Sequence, residues 1–408
     1  MTDPRGVTRT AAVGEVSRTG KRLVLVTLCA TQITSWGVLY YAFPVLAGDI
    51  TATTGWSTAA IIAALSASQL VAALAGIPVG RRIDLHGPRA VMTAGSVLAV
   101  PAMVLVATAQ NLVWFIAAWL VAGMAMGAVL YPPAFAALTR WHGPDPVRAL
   151  TILTLAGGLA STVFAPLTAA LAAHLGWRTT YLVLAAILAV ITIPAHWFGL
   201  HQPWPPRPAP GQLDTHPRHT ARSSTFVALA VALSLAALAT FAAVINLVPL
   251  LTERGISTGV AAVALGLGGA GQVVGRLGYA AIVRHTTVLT RTVAIVAALA
   301  VTTAALGVLT TAFALTLGAV VAGMARGVFT LLQATAVTDR WGRRYYGHLT
   351  GLLSAPMTIT MALAPFAGAA LAGLLGSYHT TFLVLGALAA VAAAVSVLTI
   401  PKPEKAVP

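Results

Sequence analysis

Val121-Ala122-Gly123-Met124-Ala125-Met126-Gly127 returns two hundred positions later as Val321-Ala322-Gly323-Met324-Ala325-Arg326-Gly327, with one residue changed. Each copy lies within a long apolar run, so the chain reads as two similar halves. Both copies carry Gly-x-x-x-Gly, the spacing that lets two helix backbones approach closely in lipid. The change of Met126 to Arg326 sets a permanent cation where hydrocarbon is the expected surrounding.

The repeat extends well beyond this phrase. Trp36 and Pro44 correspond to Phe241 and Pro249, and Arg140-Trp141 to Arg340-Trp341. Leu150-Thr151 with Ala165-Pro166 corresponds to Leu349-Thr350 with Ala364-Pro365. Thr179-Thr180-Tyr181-Leu182-Val183-Leu184 matches Thr380-Thr381-Phe382-Leu383-Val384-Leu385. The order is constant, as a duplicated unit requires.

With 58% hydrophobic and 8% charged residues in 408, the chain has too little polar surface for a water-soluble globule. Membrane-length apolar windows predict twelve helical spans, starting near Leu23, Ser57, Ala90, Leu112, Ala149, Thr180, Thr225, Gly259, Leu289, Phe313, Leu349 and Thr380. The expected fold is all-α: two pseudo-symmetric six-helix bundles, residues 23–200 and 225–400. A tail (1–22), a Pro- and Arg-bearing linker (201–224) and a second tail (401–408) are placed in the cytoplasm.

A formal charge of +15 raises the question of a nucleic-acid partner, and the distribution answers against one. Arg178 and Arg254 fall on one side, Arg276 and Arg326 remain within apolar runs, and the other basic residues share the side of the N-terminus. That bias puts both termini in the cytoplasm of a plasma-membrane protein whose large-scale partner is the lipid bilayer. The N-terminal residues lack the apolar core and cleavage site of a secretory signal. Cys29, the one cysteine, excludes an intramolecular disulfide.

Gly80-Arg81-Arg82-Ile83-Asp84-Leu85-His86-Gly87-Pro88-Arg89, between the second and third spans, resembles the signature loop of the major facilitator superfamily, with Gly80, Asp84, Gly87 and Arg89 at the family spacing. The resemblance covers the whole chain. It implies an alternating-access transporter, a central cavity lined by the first, fourth, seventh and tenth spans, and a monomer as the family default. On this reading Gly80, Arg81, Asp84, Gly87 and Arg89 form a conformational latch, with Asp84 and the arginines as an ion pair; the plainer role of the arginines is to set topology. Other family motifs are partial: Trp119 stands where antiporters carry an arginine, and Ala165-Pro166-Leu167-Thr168-Ala169-Ala170 replaces the glycines of the antiporter turn by alanines.

Arg326 shares a helix face with Thr330 and Gln333, a polar stripe on the tenth span. Arg276 is followed by seven largely apolar residues before Arg284, so it is expected within the membrane. An arginine there resembles the monocarboxylate transporter and oxalate/formate antiporter branch, where it engages a substrate carboxylate, although Gln272 stands one turn earlier where those carriers have an aspartate. Both arginines also admit a structural reading, bonded to carbonyls of neighbouring helices. Gln32, Trp36 and Tyr40 form a stripe on the first span, which Tyr131 and Asn246 could complete as a cavity wall or as ordinary interhelical packing.

No acidic residue lies near a span centre. Gly266-Leu267-Gly268-Gly269-Ala270-Gly271 satisfies G-x-G-x-x-G but follows no strand, so no dinucleotide fold is expected. No cofactor, metal site or enzymatic activity is expected. The expected activity is transport of a small organic solute, an anion such as a monocarboxylate held by Arg326 and Arg276, by secondary active or facilitative alternating access. The alternative is efflux of a drug-like or toxic compound, with the aromatic wall selecting and the arginines structural.

Overall fold

A computed structural model describes residues 16–143, 145–206 and 217–401. Most of the N-terminal tail, the middle of the linker and the last seven residues lie outside them, and with them the charges of Arg5, Arg9, Arg207, Lys402 and Lys405.

Among the described residues there is no strand. Eleven continuous helical runs are long and apolar enough to cross a membrane. The longest, Val147–Gly199, divides at Gly176, whose φ of 68° and ψ of 167° no α-helix contains. Twelve spans result, in agreement with the apolar windows. They are α1 (Arg18–Thr54), α2 (Thr58–His86), α3 (Pro88–Ala107), α4 (Leu112–His142), α5 (147–175) and α6 (177–199) in the first half. The second half holds α7 (224–253), α8 (Thr258–His285), α9 (Val288–Val308), α10 (Ala312–Trp341), α11 (Tyr346–Leu375) and α12 (Tyr378–Ser396).

Helix starts follow from short polar side chains. Ser57, Asn111, Ser257, Thr311 and Ser377 each accept a hydrogen bond from the amide three residues on, a cap worth about 1 kcal/mol. Apolar side chains cover the outside: Val113, Val190, Phe313 and Leu374 are more than two-thirds exposed, which water would penalise and lipid accepts.

The repeated phrase does the same work twice. A Cβ on Gly123 would lie 2.3 Å from the Ser68 carbonyl oxygen, and one on Gly323 would lie 1.9 Å from that of Gly268. Gly127 and Gly327 likewise abut the main chain of α2 and α8. Thus α4 seats against α2 and α10 against α8 with main chain touching main chain, which only glycine permits.

With an even number of spans, both described ends lie at one end of the bundle, here called the basic end. A buried cluster there joins the halves, including Val24, Ile83 and Trp141 from one and Phe226, Trp341 and Tyr346 from the other. Toward the opposite end the core divides. One cluster holds Phe43, Phe115, Trp119 and Tyr181, and the other Leu250, Leu315, Phe382 and Leu385. The halves are therefore packed together at the basic end and cored separately at the other.

Candidate functional site between the halves

Three interrupted helices of the first half converge on one residue of the second. In α1 the α-helix gives way to a π-turn at Gly37–Tyr41. This turn rotates the remainder of the helix, so Tyr41 joins Trp36 and Tyr40 on one wall. Ring centroids lie 5.5 Å apart for Trp36–Tyr40, 6.3 Å for Trp36–Tyr41 and 5.3 Å for Tyr40–Tyr41. Gly37 makes this possible, because any Cβ there would strike the Phe164 ring at 2.2 Å.

The break in α4 falls at Leu130, before Tyr131-Pro132-Pro133. Proline lacks an N–H, so carbonyls one turn earlier lose their helical donor. Gln32 fills one of these gaps: its Nε2 donates to the Val129 oxygen at 2.6 Å. Freed from the straight helix, Tyr131 packs against Trp36 at 5.1 Å and stacks on Phe135 at 5.1 Å. In α5 the helix breaks at Leu159, after Gly157-Gly158. Gly157 leaves room for the Tyr131 phenol and Gly158 for the Arg276 guanidinium.

Arg276 enters from α8. Nine residues of helix separate it from His285, about 13 Å of rise, which places it well inside the apolar zone. It is 5% exposed. Its Nη1 donates to the main-chain oxygen of Thr154 across the gap between the halves, and the Tyr131 hydroxyl donates to that same oxygen at 3.4 Å. The phenols of Tyr131 and Tyr41 lie within electrostatic range of the charge. Its Nε is buried without a partner, as are Trp36 Nε1 and Gln32 Oε1. The site thus combines a fixed cation, unspent hydrogen-bonding atoms and an aromatic wall.

The sequence candidates separate into groups. Gln32, Trp36, Tyr40, Tyr131 and Arg276 come together, with Gln272 one turn from Arg276 on α8. Asn246 sits at a break in α7, turned against Gly368 of α11, with its amide donating to Ala242 of its own helix. Arg326 lines a different, small cavity inside the second half, together with Thr240, Thr303, Ala319 and Ala322. Thr330 turns its hydroxyl back to the Arg326 carbonyl at 3.0 Å, and Gln333 is half-buried on the same helix. Tyr41 and Thr154 are members of the site that the sequence pattern does not mark. The first needs the π-turn, and the second acts through its main chain.

At the basic end, Asp84 on α2 accepts hydrogen bonds from the amides of Gly347 (2.9 Å) and His348 (2.8 Å), at the start of α11. A carboxylate at a helix N-terminus meets both free amides and the positive end of the helix dipole. Arg89 donates to the Trp197 carbonyl at 2.8 Å and lies over that indole at 4.1 Å. Gly87 turns the chain with φ of 82° ahead of α3. Arg81 and Arg82 are exposed. Gly80 abuts Gly347, the oxygen of which would lie 2.0 Å from any added Cβ. Arg140 extends the seam by donating to the Arg343 carbonyl.

The sequence model of the Major Facilitator Superfamily matches residues 28–313 and 289–408. Solved structures share the fold. The human organic anion transporter MFSD10 (TETRAN) superposes with a TM-score of 0.73 at 16% identity, covering 92% of this chain and 99% of its own. A variant of the E. coli fucose:proton symporter, FucP, gives 0.74 at 12% identity, covering 94% and 100%. FucP in the outward conformation gives 0.72 at 14% identity, over the same shares. No curated protein sequence matches.

Proposed function

The chain belongs to the major facilitator superfamily, and from that premise we propose that it carries a small organic anion across the membrane, with Arg276 as the group that holds the carboxylate. The observation that carries this reading is the junction of Arg276 with the first half. A guanidinium that cannot deprotonate is buried at the seam, and among the described residues no carboxylate pairs with it. An anion would supply the missing charge. Its forked N–H groups suit a carboxylate, and Trp36, Tyr40, Tyr41 and Tyr131 offer ring faces and hydroxyls to an organic body.

The setting supports the same reading. Interrupted helices are where membrane carriers expose main-chain groups to a solute, and α1, α4 and α5 all break around Arg276. Closure at the basic end with separate cores at the other suits a carrier facing away from its termini. With both termini in the cytoplasm this is the outward-facing state. The neighbouring folds named for organic anion transport and fucose:proton symport are too distant in sequence to choose a substrate, which rests on the residues of this site.

The test is uptake into proteoliposomes of labelled acetate, lactate and benzoate, against labelled fucose and a lipophilic cation, with and without a pH gradient. Saturable flux of at least one carboxylate, absent for sugar and cation, is the expected result. Transport of the cation alone would overturn the anion reading in favour of efflux of drug-like compounds.

A further inference from the structure

Arg326 has a second anion problem, independent of the seam. At the same register in the first half stands Met126, fully buried, its sulfur 3.8 Å from the Ser68 hydroxyl. Two helix turns nearer the helix start, the first half places Trp119, also fully buried and in edge contact with Phe43 and Phe115. The repeat replaces Trp119 by Ala319. The second half thus lacks a counterpart of Trp119 and carries a cation two turns along the same helix.

The outcome is a cavity of about 20 Å³ in the second bundle, between α7, α9 and α10. That is room for one water-sized or halide-sized guest and too little for an organic acid. Arg326 Nε faces it without a partner, and so does the Thr240 hydroxyl, whose residue is 4% exposed. Thr303 adds a second buried hydroxyl, while Ala319, Ala322 and Leu299 supply apolar walls. Among the described residues no acidic group pairs with Arg326. Leaving a guanidinium uncompensated in such a place is costly, whereas one small anion would neutralise it and accept from both hydroxyls.

We propose that Arg326, Thr240 and Thr303 form a binding site for a resident monatomic anion, chloride or another halide, within the second bundle and apart from the substrate seam. The anion is a fixed structural ligand there. It neutralises Arg326 and leaves Arg276 as the uncompensated charge that meets solute.

The experiment is thermal unfolding of the full chain in detergent, in sodium gluconate titrated with chloride, bromide or acetate at constant ionic strength. Chloride and bromide should raise the midpoint saturably, and acetate should not, because binding to the folded state alone stabilises it. Thr240→Val should raise the half-saturating chloride concentration several-fold. Ala319→Val fills the cavity with two methyl groups while leaving the arginine in place, and should abolish the halide dependence, as should Arg326→Gln. Three results would overturn the site: equal midpoints in chloride and gluconate, a saturable rise with acetate, or a halide response retained in Ala319→Val. None depends on transport, so the seam and this site stand or fall separately.

Discussion

Arg276 of α8 and Thr154 of α5 are joined across the two halves of the molecule by a hydrogen bond from guanidinium to main-chain carbonyl, deep in the apolar zone. A carboxylate arriving at the seam would compete with that carbonyl for the same N–H groups. Binding would then loosen a contact that helps hold α8 to α5, coupling solute occupancy to the relative motion of the halves. Lysine keeps the charge and loses the fork. Arg276→Lys should therefore weaken solute binding by about 10- to 100-fold, or roughly 1.4 to 2.8 kcal/mol, while leaving the protein folded. Half-saturation of uptake, measured beside the unfolding midpoint, checks both parts.

Gln32 shares a helix face with Trp36 and Tyr40 by its spacing, and its amide donates to the Val129 oxygen that the proline break of α4 leaves without a helical donor. Gln32→Leu would leave the buried Val129 oxygen without its donor, a loss of about 1 to 3 kcal/mol. A lowered unfolding midpoint in detergent is expected. An unchanged midpoint would mean that water serves Val129 equally well.

Asp84 ties α2 to the start of α11 at the basic end by accepting from the amides of Gly347 and His348. Asp84→Asn keeps the shape and removes the charge, and the closed end should lose about 1 to 2 kcal/mol, a shift of roughly 5- to 30-fold in population. Spin labels placed near the basic ends of α2 and α11, in a background lacking Cys29, should report a larger fraction of long distances. An unaltered distribution would show that the apolar seam closes this end without help.

Two glycines on α2 make a sharper contrast. A methyl group on Gly80 would lie 2.0 Å from the Gly347 oxygen, whereas one on Gly76 meets nothing within 4 Å. Gly80→Ala should force α2 and α11 apart and open the basic end, measured by the same labels. Gly76→Ala should leave the distances unchanged and, by reducing unfolded-chain entropy, hold or slightly raise the unfolding midpoint.

Span number and placement are legible in the sequence because lipid imposes a simple rule: about twenty apolar residues per crossing, with charges gathered beyond them. The α10 start expected near Phe313 is found at Ala312, and the α4 start at Leu112 is found there. The site is legible only in part. Gln32, Trp36 and Tyr40 obey the four-residue spacing of one helix face, and Arg276 reveals itself by its apolar flank. Tyr41 does not fit that spacing, because a π-turn moves it into place, and no local residue pattern marks such a turn. Arg326 stands out as the anomaly in the repeat. Its surroundings depend on the small Ala319 standing where the first half has Trp119, a packing relationship visible only once α7, α9 and α10 are assembled.

The most direct test of the central claim is carboxylate counterflow in proteoliposomes with Arg276→Gln. The substitution removes the charge while keeping a polar side chain at the seam. Loss of saturable carboxylate flux, by about 100-fold or more, with the unfolding midpoint within a few degrees of the unaltered protein, is the expected result. Carboxylate flux at the unaltered rate and half-saturation in Arg276→Gln would contradict it, because the anion would then be held elsewhere.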